Sequence, residues 1–360
     1  MRNEAITLWR LILLHAPTIS DIAKKAGLSV STVSRVLNNK SQSHRISRDT
    51  AELIIKTAAE MSYRPNAVAR SLRLKKTNTI GLVVPDISNP FFAHITRGIQ
   101  RAAHGAGYSL VVCDTDEDLR QEVEHVNLLK GKGVDGLIVM PVGLSFDHLK
   151  EVYDRGVPIV LLDRCIDVLN ATSVQVDNHD GAYQAVEHII KCGHTRIAII
   201  QGLSYTYTSS QRLRGYMDAL MAGGVDVDEG LIVGSDFRQE NGYIETKLLL
   251  RKEDPPTAIF ATSDLITLGA LQAIFEDRMR VPEDISLVSF DDIDFAPYLI
   301  VPLTTVAQPK ELMSEIAVKL LVEQIGAHES VEPKKIVLKP QLTVRGSVKS
   351  IQGLKPKKLM

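Results

Sequence analysis

From Thr79 onward, apolar residues come in short runs of four to six, each followed by a stretch in which they recur every three or four positions. Residues 80–84, 109–113, 136–140 and 158–162 read as strands. Helices lie between them at 91–106 and 120–130, and another opens at Phe146. A second series has helix 179–191, strand 197–200, helices 212–222 and 242–251, strand 258–260, helix 265–275 and strand 286–290. Strands apolar on both faces, alternating with amphipathic helices, form parallel sheets covered on both sides. Two such series predict two doubly wound α/β lobes, with a cleft between them where ligands sit.

Ahead of residue 79 the apolar period is helical and the elements are shorter. In residues 18–38, Thr18 caps a first helix and Asp21 can return its hydrogen bond; Ile22, Ala23 and Ala26 form one apolar face. Gly27 stands where a helix needs a left-handed exit, and Ser29 caps a second helix whose Val33, Val36 and Leu37 turn inward. Val30, Ser31, Thr32, Ser34 and Arg35 are left outward. Small and hydroxyl side chains with one arginine suit a helix that enters a DNA major groove closely. A plain helical hairpin in a core is the bland alternative, but here caps, glycine and polar face agree in register. A third helix begins after Ser47, with Ala51, Leu53, Ile54, Ala58 and Met61 on one side.

Charge sharpens the division. The formal net charge is −1, yet residues 18–77 hold twelve Lys and Arg against four Asp and Glu, a balance of +8, while residues 78–360 carry −10. A basic module on an acidic body suits a nucleic-acid reader with a separate control domain. Between them, Pro65 and Asn66 open a helix of about two turns, too short to hold alone in water. Arg70, Arg73, Lys75 and Lys76 offer phosphate contacts, which a charged linker would also do. The sharper reading is a hinge helix that folds on DNA and wedges Leu72 between minor-groove base steps.

Other chemistry is excluded by context. Residues 131–136, GKGVDG, spell a dinucleotide fingerprint but follow a helix and precede a strand, the reverse of what phosphate binding needs. Asp114, Asp116 and Asp118 imitate a calcium loop, but Leu119 and His125 stand where its glycine and glutamate belong. No catalytic, metal or cofactor motif is found. Three scattered cysteines and the lack of an apolar stretch of about 18–20 residues point to a cytoplasmic protein that spans no membrane. Residues 1–17 resemble a secretory signal in length alone, since Arg10 interrupts the apolar run. They read as an extension outside the fold.

Taken in order, Asp21-Ile22-Ala23, Ala26-Gly27-Leu28-Ser29 and Thr32 to Asn38 carry a resemblance that continues down the chain. Tyr63-Arg64-Pro65-Asn66, Ala69-Arg70-Ser71-Leu72, Asn89-Pro90-Phe91-Phe92, Arg212-Leu213-Arg214-Gly215-Tyr216 and Ser289-Phe290-Asp291-Asp292 extend it. Together they resemble the LacI/GalR (lactose and galactose repressor) family of transcription regulators, from Thr18 to about Ser347. The resemblance implies an all-α DNA-binding head at 18–64, a hinge at 65–77 and a two-lobed effector and dimerisation body at 78–347 like periplasmic sugar-binding proteins; the tail at 348–360 departs from it and reads as disordered. It implies a homodimeric repressor on a pseudo-palindromic operator, controlled by a sugar or sugar derivative and needing no cofactor. Thr18, Val30, Ser31, Thr32, Ser34, Arg35, Asn38, Arg70 and Leu72 are then the expected DNA contacts. In the cleft, Phe91 and Phe92 would stack on a ring, Arg212 would donate and Asp291 would accept. Asp163, Arg164, Asp177, Thr208, Phe237 and Asp264 belong to strand-end loops of the same region. The two phenylalanines equally suit a core, and Asp177 and Asp264 equally suit helix caps. The alternative function is a sugar-binding protein of transport or chemosensing, against which the head argues.

Overall fold

The computed structural model describes residues 17–38, 45–63, 76–143, 145–164, 169–327 and 331–351. The expected hinge contacts Arg70 and Leu72, the extension through residue 16 and the end of the tail lie outside the described residues. The chain divides into a head, residues 1–77, and a body, residues 78–360.

In the head, helices α1 (Ile19–Ala26), α2 (Val30–Leu37) and α3 (Arg48–Glu60) enclose a core of Ile22, Ala23, Val33, Val36, Ile54 and Ala58. Thr18 Oγ1 accepts the Asp21 N–H at 3.3 Å, and Asp21 accepts the Thr18 N–H at 2.8 Å, a reciprocal cap. Gly27 ends α1 at φ 66°, and Ser29 accepts the Thr32 N–H at 3.2 Å to start α2. One sequence assignment fails: Leu53 is exposed rather than inward. The inward stripe of α3 runs through Ile54, Thr57 and Ala58, at spacings of three and four, and leaves Leu53 on its flank. Thr57 fills the inner position instead and donates its hydroxyl to the Leu53 carbonyl at 2.8 Å.

The body contains two six-stranded sheets. The first uses β1 (Thr79–Val84), β2 (Ser109–Asp114), β3 (Gly136–Val139), β4 (Ile159–Leu162), β5 (Thr172–Val176) and, much later, β11 (Lys335–Leu338). Their order is β11-β5-β4-β3-β1-β2, all parallel, with helices α4 (Pro90–Gly105), α5 (Leu119–Gly131) and α6 (Asp147–Asp154). The second uses β6 (Ile197–Ile200), β7 (Ile232–Val233), β8 (Ala258–Ala261), β9 (Ser286–Phe290), β10 (Thr304–Ala307) and β12 (Gln341–Thr343). Its order is β12-β10-β9-β8-β6-β7, parallel except for β12. Helices α7 (Asn178–Lys191), α8 (Tyr207–Ala222), α9 (Gln239–Leu250) and α10 (Asp264–Glu276) complete that lobe.

The chain passes between lobes three times: after β5, after β10 and between β11 and β12. The second passage returns α11 (Lys310–Gly326) to the first lobe. There Met313, Ala317, Val318 and Leu321 join Ile95 and Ile99 of α4 in covering Ile80, Leu82, Ile138 and Val160. Helix pairs cross where a glycine lets backbones touch. A Cβ at Gly242 of α9 would lie 2.1 Å from the Ile266 carbonyl oxygen, and one at Gly269 of α10 would lie 2.0 Å from that of Gln239.

Candidate DNA-reading surface and interlobe cleft

On the head, α2 presents Val30 and Ser31 of its first turn and Arg35 of its last turn exposed, while Thr32, Ser34 and Asn38 are half-buried. The hydroxyls of Ser31 and Thr32 both meet Ser29 Oγ, at 2.9 and 2.8 Å, and Asn38 Nδ2 donates to the Ser34 carbonyl at 2.6 Å. Thr18, also exposed, is engaged in its own cap. Arg35 is therefore the long side chain of this face, on a helix held rigid by its caps.

In the body, ten residues line a narrow cleft: Asn89, Phe91, Phe92, Asp163, Arg164, Thr208, Arg212, Phe237, Ser263 and Asp291. The first five come from the first lobe and the last five from the second. They follow strands or open helices at the carboxyl ends of the sheets, where parallel topology gathers loops. Eight of the ten residues expected from sequence are brought together here. Two are not. Asp177 caps α7 by accepting the Asp180 N–H at 3.0 Å, and Asp264 lies buried beside the cleft, accepting the Leu265 N–H at 2.7 Å. Sequence reasoning missed Asn89 and Ser263. Both are N-caps directly after the first and eighth strands' turns, bonding the Phe91 and Ile266 amides, so a polar cap at a strand's carboxyl end was the available signal.

Each lobe supplies one aspartate immediately after a strand in the left-handed region: Asp163 at φ 65° after β4 and Asp291 at φ 75° after β9. That conformation costs a non-glycine residue roughly 1–3 kcal/mol and persists where the surroundings enforce it. Here Asp163 N–H bonds the Val174 carbonyl at 2.9 Å and Asp291 N–H that of Val306 at 3.0 Å. Asp291 accepts from Gln308 Nε2 at 2.6 Å, whereas Asp163 Oδ1 is buried without a hydrogen-bond partner. Burial pushes the Asp163 carboxyl up to about 6; Arg212 and Arg164 oppose this, while Asp291 and Glu117 add to it. Asp264 is pushed to about 7, again chiefly by burial and then by Asp291. Burial raises Asp291 as well, against the pull of Arg212.

Arg212 is fixed by Nε to Asn178 Oδ1 at 2.8 Å and Nη1 to the Thr262 carbonyl at 2.6 Å, with its guanidinium carbon 3.7 Å from the centre of the Phe290 ring. Burial lowers its pKa from the usual arginine value. Arg164 lies between aromatic rings of the two lobes, 5.6 Å from Phe92 and 5.4 Å from Phe237. Phe91 and Phe92 meet edge to face at 5.2 Å; they line the cleft and also belong to the first lobe's core.

A capped helical reader and a body of two α/β lobes closed over a polar cleft define a ligand-responsive DNA-binding regulator. Residues 18–66 match the bacterial regulatory proteins of the lacI family, and residues 186–348 match the periplasmic binding protein-like domain. The HTH-type transcriptional regulator DegA of Bacillus subtilis (strain 168) is 38% identical over 335 residues, 92% of this chain and 97% of that protein. The transcriptional regulator CelR–cellobiose complex has a TM-score of 0.70 and 34% identity, covering 92% of this chain and 99% of that one. The Lac repressor dimer bound to operator and the anti-inducer ONPF has a TM-score of 0.81 and 28% identity, covering 93% and 100%. This chain belongs to the LacI family. It is a transcription regulator, and members of the family are regulators rather than enzymes.

Proposed function

We propose that this protein is a cytoplasmic repressor that binds a pseudo-palindromic operator as a homodimer and answers to a small sugar or sugar derivative in the interlobe cleft. The observation that carries the effector reading is the unpartnered, buried Asp163 Oδ1, facing a cleft that also holds Asp291, Arg212 and three phenylalanine rings. A polyol ring supplies what those groups lack: hydroxyl donors for the carboxylates, oxygen acceptors for the arginine and an apolar face for the rings. The cellobiose complex among its structural relatives supports the same class.

The mechanism is linkage. Ligand that binds one angle between the lobes better than another shifts the population of that angle, and operator affinity follows through the segment joining body to head. A transport or sensing protein would have no use for the capped reader. A thermal-shift screen with sugars and sugar derivatives tests the proposal, since ligand at a hundredfold excess over its Kd adds about 2.7 kcal/mol. Asp291→Ala is expected to abolish the shift while operator DNA is still retarded in a gel. A normal ligand response in that variant would remove the cleft from the proposal.

A further inference from the structure

The cleft contains an arginine that is already neutralised. Arg164 Nη1 and Nη2 each donate to a carboxylate oxygen of Glu117 at 2.6 Å, a two-pronged pair that occupies both terminal nitrogens. Only 4% of the Arg164 side chain is exposed, and 19% of Glu117. Glu117 does not line the cleft; it sits behind Arg164 in the turn after β2. That turn is held with two successive non-glycine residues at positive φ, Asp116 at 46° and Glu117 at 57°. Glu117 N–H bonds the Pro85 carbonyl at 2.9 Å, and Asp118 N–H that of Thr115 at 2.9 Å, which pin the strained pair. A backbone held this way presents the carboxylate to Arg164 at a fixed distance.

The remaining charges do not restore a positive cleft. Asp163 and Asp291 line it and Asp264 lies beside it, whereas Arg212 is the other lining cation. Arg212 has committed Nε and Nη1 to protein acceptors. Lys310, whose charge acts on Asp264 and Asp291, donates to the Asp292 carbonyl at 3.0 Å. An anionic group entering here would meet like charges in a medium of low dielectric, where one guanidinium is already balanced by Glu117 and the other holds protein acceptors through Nε and Nη1.

We infer that the cleft selects an uncharged polyhydroxylated ligand over its phosphorylated counterpart, and that Glu117, by holding Arg164, is the positioning residue that sets this selection. The inference rests on the sugar reading proposed above and adds the ligand's charge class. Removing the Glu117 charge releases the Arg164 fork toward the cleft and leaves the pair with a net charge of +1.

The test is isothermal titration of the full-length protein with matched probes: D-ribose and its 5-phosphate, D-glucose and its 6-phosphate, cellobiose and its 6-phosphate. In the wild type, a neutral sugar that binds is expected to do so at least about tenfold more tightly than its phosphate. Glu117→Gln narrows that ratio by about tenfold or more, by strengthening the phosphate rather than the sugar, and Glu117→Asp, which keeps the charge, preserves it. A phosphate that binds wild type as tightly as its parent overturns the charge selection while leaving the cleft a sugar site. An unchanged ratio in a Glu117→Gln protein with a cooperative melting transition overturns the role of Glu117. If no neutral or phosphorylated probe binds, the sugar reading fails and this inference falls with it. The wild-type ratio decides the first claim even if the variant does not fold.

Discussion

Asp163 concentrates two costs in one residue, a left-handed backbone and a buried oxygen without a donor. Its carboxyl stands near 6 and that of Asp264 near 7, above the ordinary 3.8. Between about pH 4 and these values the folded protein holds more protons than the unfolded chain. The contribution of these groups to stability therefore falls as pH rises through that window. Ligand reverses the preference at Asp163: a hydroxyl donated to Oδ1 favours the ionised form, so binding expels a proton. Ligand affinity is expected to rise with pH through about 6, and titrations in buffers of different ionisation enthalpy should register proton release. Asp163→Asn should flatten that dependence. An affinity that falls with pH over this range in the wild type would contradict the assignment.

At the scale of elements, the helix pairs are held closer than side chains allow. Gly242 and Gly269 place α9 and α10 backbone to backbone, so Gly242→Ala or Gly269→Ala must push the helices apart. Helix propensity alone predicts a gain of up to about 1 kcal/mol for such a change. The contact of about 2 Å with a carbonyl oxygen outweighs it, and each variant is expected to lose about 1–3 kcal/mol in urea denaturation. A stabilised variant would show that the helices separate freely. Elements with clean periodicity were legible from sequence, including the reader with its caps and strands β1–β4, β6, β8 and β9. Others lacked a local apolar pattern, each for its own reason. The fully buried β5 carries Thr172, Ser173 and Gln175, so it offers no apolar run, and β11 alternates exposed with half-buried residues at a sheet edge. Helix α8 begins at Tyr207, ahead of the expected Arg212, because its first turn is set by the Thr206 cap rather than by apolar spacing. The cleft was legible where chemistry was unusual, as at Arg212 and Asp291. Asn89 and Ser263 looked like ordinary caps, and the partnership of Glu117 with Arg164 spans 47 positions that no local pattern connects.

At the scale of the molecule, charge divides between head and body, with +8 over residues 18–77 and −10 over residues 78–360. Operator binding that neutralises about six phosphates loses roughly a thousandfold in affinity between 50 and 200 mM salt. Neutral-ligand binding in the body is expected to change less than about twofold over the same range, because the ligand carries no charge and the cleft's own charges are buried. Fluorescence anisotropy for DNA and calorimetry for ligand would separate the two; parallel salt slopes would show that they are not independent.

The three passages between lobes also impose an order on synthesis. A nascent chain that has reached residue 307 carries every strand of the second lobe except its edge strand β12. The first lobe, begun more than two hundred residues earlier, still lacks α11 and β11. Until they emerge, Ile80, Leu82, Ile138 and Val160 have only part of their apolar cover. The lobe that leaves the ribosome first thus waits longest for its cover, and a chain cut short before residue 310 leaves it an exposed sheet for chaperones or proteases to find.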